Sequence, residues 1–178
     1  MPPSRELQVA ANAPARDAGA PRTLLLGMGN PYLRDDAVGI RLATFLRVLM
    51  GEVQDLTYVE ECSQGGLNIL DLVAGYDRLV VLDSIKAGGE PGSWYRFDGR
   101  ALRETMNLTN VHDTNLATAL ELGRRLGFRV PCEEEIHVFA VEVEDNLTFA
   151  ERMTDSLEGA FPGYAAEIGA EVAALLER

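Results

Sequence analysis

Cysteine is scarce in this chain, and its scarcity excludes two kinds of small protein. Only two of the 178 residues are cysteines, Cys62 and Cys132, and no CxxC spacing occurs. A domain held together by disulfides needs more cysteines than this, and so does a zinc knuckle. We therefore expect two thiols in a reducing compartment.

Long apolar runs and positive charge are also lacking. No run approaches the roughly 20 residues that span a bilayer, and the first residues hold no continuous hydrophobic segment that could direct secretion. The chain has 28 acidic and 16 basic residues and a formal net charge of -12, so it repels phosphate backbones and anionic membranes. These features predict a cytoplasmic protein that binds neither nucleic acid nor membrane.

The chain does have enough apolar residues for one core. Its hydrophobic content of 47% is sufficient for a single folded domain. Residues 1–21 are rich in Ala and Pro and show no periodicity, which predicts a flexible N-terminal extension. We therefore assign residues 22–178 to one α/β domain.

Apolar segments of strand and helix type alternate along that domain. Residues 24–26 and 79–82 are short uninterrupted apolar runs, typical of parallel strands that are buried on both faces. Residues 56–60, 93–98 and 135–144 have weaker strand patterns, and antiparallel pairing stays open for 93–98. The pattern predicts a three-layer fold in which a twisted, mixed but mainly parallel sheet of about five strands has helices on both faces.

The end of the first strand combines glycines with an acidic pair. Gly27 and Gly29 would let the backbone turn sharply and come close to a ligand. Asp35 and Asp36 fall where the next helix should begin. A carboxylate at a helix N-terminus is stabilised by the dipole and the free N–H groups, so it can cap the helix or bind a metal. We assign capping to Asp35 and an outward-facing role to Asp36.

Two further candidates lie at the ends of secondary-structure elements. Asp83 directly follows the run 79–82, and in open α/β sheets ligands bind outside the carboxyl ends of the strands. If the two apolar strands are parallel neighbours, Asp36 and Asp83 reach the same edge, although Asp83 could equally cap a turn. His112 lies in a polar loop at a helix start. His137 alternates with apolar residues and is interpreted as a core or edge residue.

Several common active sites are absent from the sequence. It has neither HExxH nor GxSxG, which excludes a zincin and the usual hydrolase nucleophile elbow. Only the first two glycines of a GxGxxG motif are present, and Pro31 and Tyr32 after them would block the close approach of a pyrophosphate. This argues against a dinucleotide site. The remaining group of Asp36, Asp83 and His112 suits zinc, nickel or iron and leaves coordination positions open. Spacing alone does not select among these metals.

A family resemblance rests on three parts of the chain. The first is the run Gly27-x-Gly29-Asn30-x-x-x-x-Asp35-Asp36-x-x-Gly39, which resembles the signature of the endopeptidases that mature nickel-iron hydrogenases. Asp83 and His112 follow in the same order and at similar intervals as that family's other two metal ligands. The resemblance extends over residues 22–176. It implies an α/β hydrolase that removes the C-terminal peptide from the precursor of a hydrogenase large subunit after nickel insertion.

The resemblance also implies roles for individual residues. Asp36, Asp83 and His112 would engage nickel that is already held by cysteines of the precursor, so the metal belongs to the substrate and the resting protein can be metal-free. Nickel would serve as the recognition element and as a Lewis acid at cleavage. Many family members have an Asp-Gly-Gly-Thr type sequence where this chain has Glu61-Cys62-Ser63-Gln64. Glu61 is a candidate general base there. We also expect the protein to be a monomer.

Two other interpretations stay open. The run Gly27-Met28-Gly29-Asn30-Pro31 also resembles the opening of bacterial peptidyl-tRNA hydrolases, but that family needs a nearby histidine and asparagine and a basic channel for tRNA. Asp35, Asp36 and the net charge of -12 argue against both requirements. The second alternative is a non-enzymatic chaperone that uses the same three residues to hold or check nickel.

Overall fold

The fold is taken from a computed structural model. It describes residues 20–62, 68–104 and 111–178, without the side chains of residues 103–104 and 111–115. Nearly all of the extension predicted for residues 1–21 therefore lies outside the described residues. So do Ser63 and Gln64 of the sequence that departs from the family pattern.

The described residues form one five-stranded sheet. Its strands are β1 (Thr23–Met28), β2 (Leu56–Cys62), β3 (Arg78–Ile85), β4 (Trp94–Asp98) and β5 (Ile136–Glu142). Their order is β2-β1-β3-β5-β4, and every pair is parallel except β4 with β5. The mainly parallel sheet predicted from the sequence is confirmed, and residues 93–98 supply the antiparallel edge strand.

Helices cover both faces of this sheet. The helices are α1 (Val38–Met50), α2 (Asn68–Val73), α3 (Gly99–Glu104), α4 (Val111–Arg125) and α5 (Asp155–Leu176). The sequence pattern did not predict the short α3, and α5 is one helix with Pro162 inside it. Within the described ranges, no helix is both long and apolar enough to cross a bilayer.

The alternation of side chains along β3 divides the core into two layers. Val80 and Leu82 pack with α1 and α5, whereas Leu79 and Val81 pack with α2 and α4. All four side chains are fully buried. Because both faces are covered, the strand is a continuous apolar run, and the predicted three-layer arrangement is confirmed.

The first helix starts later than its acidic pair suggested. It begins at Val38, after Ala37 as N-cap, and no side chain caps it. The predicted start at Asp35 or Asp36 is therefore wrong by two to three residues, and the preceding segment is a series of turns. The helix ends at Met50, and its C-cap is Gly51, where a φ of 65° suits glycine.

Two glycines let α1 start directly against the sheet. A Cβ on Gly39 would overlap the carbonyl oxygens of Leu82 and Met28. A Cβ on Gly29, where φ is 138°, would overlap the carbonyl oxygen of Asp36. The sequence assigned a close approach to a ligand to Gly27 and Gly29. At both positions the protein's own backbone makes this approach, since a Cβ on Gly27 would overlap the carbonyl oxygen of Glu60.

Candidate active site at the carboxyl edge of the sheet

Asp36 lies just beyond β1 and is held in one orientation. Its Oδ2 accepts a hydrogen bond of 2.8 Å from the Asn30 N–H, and its Oδ1 accepts one of 2.8 Å from the Ser84 hydroxyl. Only 4% of the residue is exposed, so the predicted outward orientation is wrong. Since α1 starts after Asp36, the preceding turns fold the carboxylate back over β3.

Asp83 lies near the carboxyl end of β3 and is buried. The Ser84 N–H donates to its Oδ1 at 2.7 Å. Successive side chains of a strand point to opposite faces, which places Asp83 on the face of α2 and α4 and Ser84 on the face of α1 and α5. Since β1 and β3 are parallel neighbours, Asp36 and Asp83 lie at the same edge of the sheet.

His112 is the second residue of α4. Its side chain lies outside the described part, so its distance from the two acids stays untested. The helix itself packs on the face of the sheet that carries Asp83, through Leu116 and Leu120. Among the residues whose side chains are described, no three His, Cys, Asp or Glu residues are arranged to hold a metal ion. The three-residue metal site therefore stays a prediction.

The other histidine is a buried strand residue. His137 is only 9% exposed and lies on β5 opposite Asp98 of the edge strand β4, in agreement with its interpretation from the sequence. Burial, with a smaller contribution from the positive charge of Arg96, lowers the pKa of His137 below its usual value. The side chain is therefore neutral at physiological pH.

Glu61 lies on the edge strand β2 and is exposed. Its neighbour Cys62 is in register with Met28 at the end of β1, so Glu61 lies at the same edge of the sheet as the two aspartates. It is separated from β3 by two interstrand spacings, about 10 Å between backbones. Its role as a general base stays a prediction.

Asp35 has a role that the sequence did not reveal. It is fully buried, and its Oδ1 accepts from the Thr154 N–H at 2.7 Å. Its Oδ2 accepts from the N–H groups of Asp145 at 2.8 Å and Glu144 at 3.1 Å, and from the Thr154 hydroxyl at 3.1 Å. The predicted capping of α1 is wrong, because this carboxylate instead clamps the segment between β5 and α5.

A second buried acid holds the loop that follows β3. Glu142 is 1% exposed, and its Oε1 accepts hydrogen bonds of 2.8 Å each from the N–H groups of Ala87 and Gly88. Its Oε2 has no hydrogen-bond partner among the described residues. Reasoning from the sequence missed this residue, although a charged side chain at the end of an apolar strand is a recognisable signal.

Comparison with known protein families shows which family this chain is similar to. The model of the hydrogenase maturation protease family matches residues 49–169, about two thirds of the chain. The chain belongs to the hydrogenase maturation protease family. The matched range includes Asp83 and His112 and begins after Asp36, and the resemblance stated from the sequence is confirmed at the level of the family.

Two relatives are hydrogenase expression/formation proteins named HupD. The chain is 28% identical to that of Thiocapsa roseopersicina over 159 residues, which cover 84% of this chain and 70% of the relative. It is 35% identical to that of Rhizobium leguminosarum bv. viciae over 74 residues, which cover 42% of this chain and 36% of the relative. The second match thus spans about a third of that relative's length.

The fold is also that of solved members of the hydrogenase maturation protease family. The hydrogenase maturating endopeptidase HybD from E. coli superposes with a TM-score of 0.70, over 88% of this chain and 93% of that one. Sequence identity in this comparison is 23%. The likeness establishes that the two proteins share an α/β fold.

Proposed function

We propose that this protein is an endopeptidase that removes the C-terminal peptide from the nickel-loaded precursor of a nickel-iron hydrogenase large subunit. Membership of the hydrogenase maturation protease family is the observation that carries this proposal. In this proposal the nickel is part of the substrate, where cysteines of the precursor hold it. The protease recognises the nickel and then cleaves the polypeptide.

Asp36, Asp83 and His112 are the residues proposed to engage that nickel. Each oxygen of Asp36 accepts a hydrogen bond within the protein, and a carboxylate offers about four lone-pair sites. Outer-shell bonds of this kind orient a ligand and raise its basicity. Asp36 approaches β3 from the side of α1, and Asp83 lies on the side of α4, which carries His112. An ion at this edge would have one acid on each side of the strand.

Cleavage then needs a nucleophile and a proton acceptor. We propose that water attacks the carbonyl carbon of the scissile peptide, with nickel as Lewis acid. The C–N bond breaks, the new carboxyl group stays on the large subunit, and the amine of the released peptide takes a proton. Glu61 is the proposed general base because it lies exposed at this edge of the sheet.

The test is a processing assay with purified nickel-loaded precursor, in which mass spectrometry follows loss of the C-terminal peptide. Wild-type protein should release the peptide, whereas His112→Ala should release none while keeping the wild-type circular dichroism spectrum. His137→Gln is the matched control, since it removes the second of the two histidines, and it should process normally. Normal processing by His112→Ala would remove this residue from the mechanism.

The same assay separates the protease from the chaperone. A nickel-checking chaperone would bind the nickel-loaded precursor and leave its C-terminus intact. Binding of the cognate precursor without any peptide release would therefore contradict the proposed hydrolase activity and favour the chaperone.

A further inference from the structure

Two loops beside Asp36 expose large apolar side chains. Tyr32 is 72% exposed, Leu147 is 77% exposed and Phe149 is 79% exposed. We call these three residues the apolar platform. They make up half of the six strongly exposed large apolar residues found in the described ranges. Apolar side chains concentrated in one surface region are typical of a protein contact.

The two loops that carry the platform are paired with each other. Leu33 and Phe149 form an antiparallel β-bridge. The N–H of Ala150 also donates to the carbonyl oxygen of Tyr32 at 3.2 Å. Backbone pairing therefore brings the two loops that carry the platform together, across more than a hundred residues of sequence.

Polar groups, rather than the platform side chains, hold these loops in place. The buried carboxylate of Asp35 binds the N–H groups of Glu144 and Asp145. The Asp145 carboxylate in turn accepts from the N–H groups of Leu147 at 3.2 Å and Thr148 at 3.1 Å. Hydrogen bonds from Thr148 and Leu147 lower the pKa of Asp145 to about 2. The loop thus has a fold-stabilising network of its own, and the exposure of its apolar side chains calls for another explanation.

We propose that the apolar platform binds an apolar stretch of the precursor polypeptide that lies next to the nickel-bearing segment. This inference rests on the proposed function and adds the surface that holds the protein part of the substrate. Tyr32 is four residues before Asp36, within the turns that begin at Asn30, whose N–H binds the Asp36 carboxylate. A polypeptide whose nickel lies at Asp36 therefore has the platform within reach.

The size of the platform argues for the precursor rather than a second copy of this chain. At about 150–250 Å² for a large aromatic residue, three such side chains offer at most about 450–750 Å², and their partial burial lowers this further. A stable interface buries about 800 Å² on each partner. The platform is too small to hold a dimer alone, but it suits a supplementary contact beside a metal-centred site.

The test measures processing rate against the concentration of nickel-loaded precursor, together with direct binding of that precursor. One variant combines Tyr32→Ser, Leu147→Ser and Phe149→Ser. The matched control combines Val48→Ser and Leu126→Ser, which replace residues 80% and 62% exposed elsewhere on the surface. A conservative variant, Leu147→Met with Phe149→Leu, keeps the platform apolar.

The platform variant should have a KM about tenfold or more above wild type, which is the effect of losing one or two contact residues of average importance. Its kcat should stay within about twofold of wild type. The control and conservative variants should keep the wild-type KM. An unchanged KM, or a loss confined to kcat, would overturn the docking surface while leaving the proposed function intact. A wild-type dimer in sedimentation that the platform variant dissociates would also overturn it, since the platform would then bind a second copy.

Direct binding keeps the two proposals separable. If wild-type protein binds the precursor without cutting it, the proposed function fails and the platform is judged on affinity. Tenfold weaker binding by the platform variant then supports the platform, and equal binding overturns it. If wild-type protein neither binds nor cuts the precursor, both proposals fall.

Discussion

The hydroxyl of Ser84 donates a hydrogen bond of 2.8 Å to Oδ1 of Asp36. This bond joins the turns ahead of α1 to the residue that follows Asp83 on β3. Because the Asn30 N–H holds the other oxygen of the same carboxylate, the protein itself holds Asp36 in one orientation. Preorganisation of this kind is what the proposed role of Asp36 at nickel requires.

Removing the Ser84 hydroxyl should therefore impair processing in a protein that still folds. For Ser84→Ala we expect kcat/KM for nickel-loaded precursor to fall about 10- to 100-fold, as for other outer-shell substitutions. The free energy of unfolding should fall by about 1.5–3 kcal/mol, because the lost hydrogen bond is made to a buried charged group. Ser156→Ala is the control, because that hydroxyl binds Glu144 on the surface. Equal processing rates for the two variants would contradict the orienting role of Ser84.

Replacing the Asp35 carboxylate should loosen the segment between β5 and α5. Asp35→Asn removes the charge and one of the two acceptor oxygens that bind Glu144, Asp145 and Thr154. We expect the free energy of unfolding in urea to fall by about 2–4 kcal/mol, since hydrogen bonds to a charged group are worth about 1.5–3 kcal/mol each. The amides of Glu144 and Asp145 should exchange their hydrogen faster.

The control for Asp35→Asn is Asp98→Asn. The Asp98 carboxylate accepts a hydrogen bond of 2.8 Å from the Ala101 N–H at the exposed start of α3. This variant should lose less than about 1 kcal/mol. Wild-type exchange rates at Glu144 and Asp145 in Asp35→Asn would show that the clamp does not hold the segment.

A methyl group at Gly39 should separate α1 from the sheet. It would overlap the carbonyl oxygens of Leu82 and Met28, so we expect Gly39→Ala to lose at least about 3 kcal/mol of unfolding free energy, the upper end of overpacking costs, or to fail to fold. Gly159→Ala on α5 has nothing within 4 Å of the added carbon and should gain up to about 1 kcal/mol. Circular dichroism during urea unfolding compares the two variants, and equal midpoints would refute the close packing.

Stability should decrease as pH falls through the range in which His137 is charged only in the unfolded chain. Burial, helped by Arg96 and by the smaller effects of Arg78 and Arg178 against an opposing effect of Glu135, lowers the folded pKa of His137 below 6.5. Between the unfolded and folded pKa values the unfolded chain binds more protons than the folded chain. Lowering the pH in this range therefore favours the unfolded chain and reduces the free energy of unfolding. The stability contribution is complete above about pH 6.5 and is lost as pH falls towards the folded pKa.

Urea midpoints at about pH 5.5 and pH 7.5 measure this effect. His137→Gln should reduce the difference between the two midpoints relative to wild type, because glutamine does not titrate. An unchanged difference would mean that other groups set the stability in this range.

The arrangement of elements was predictable because the strands are distinctive in the sequence. Residues 24–26 and 79–82 are continuous apolar runs, and a strand covered on both faces leaves no room for alternation. Gly51 ends α1 for a local reason, since its positive φ suits glycine. The short α3 was missed because six residues are too few to show a helical period.

The site was less predictable because its contacts are distant in sequence. Asp35 and Asp36 are adjacent and chemically identical. Asp35 nevertheless clamps a segment more than a hundred residues away, whereas Asp36 accepts a hydrogen bond from Ser84. Their orientation depends on where α1 begins. The helix begins at Val38, where Gly39 packs closely against β1 and β3. Tertiary packing of this kind overrides the local preference for a carboxylate at a helix start.

The most direct test compares nickel-loaded with nickel-free precursor in one processing assay with wild-type protein, read by mass spectrometry of the large subunit. If the protein recognises nickel at the edge formed by Asp36, Asp83 and His112, only the nickel-loaded precursor should lose its C-terminal peptide. Equal cleavage of both precursors, or cleavage of neither, would contradict nickel-dependent processing.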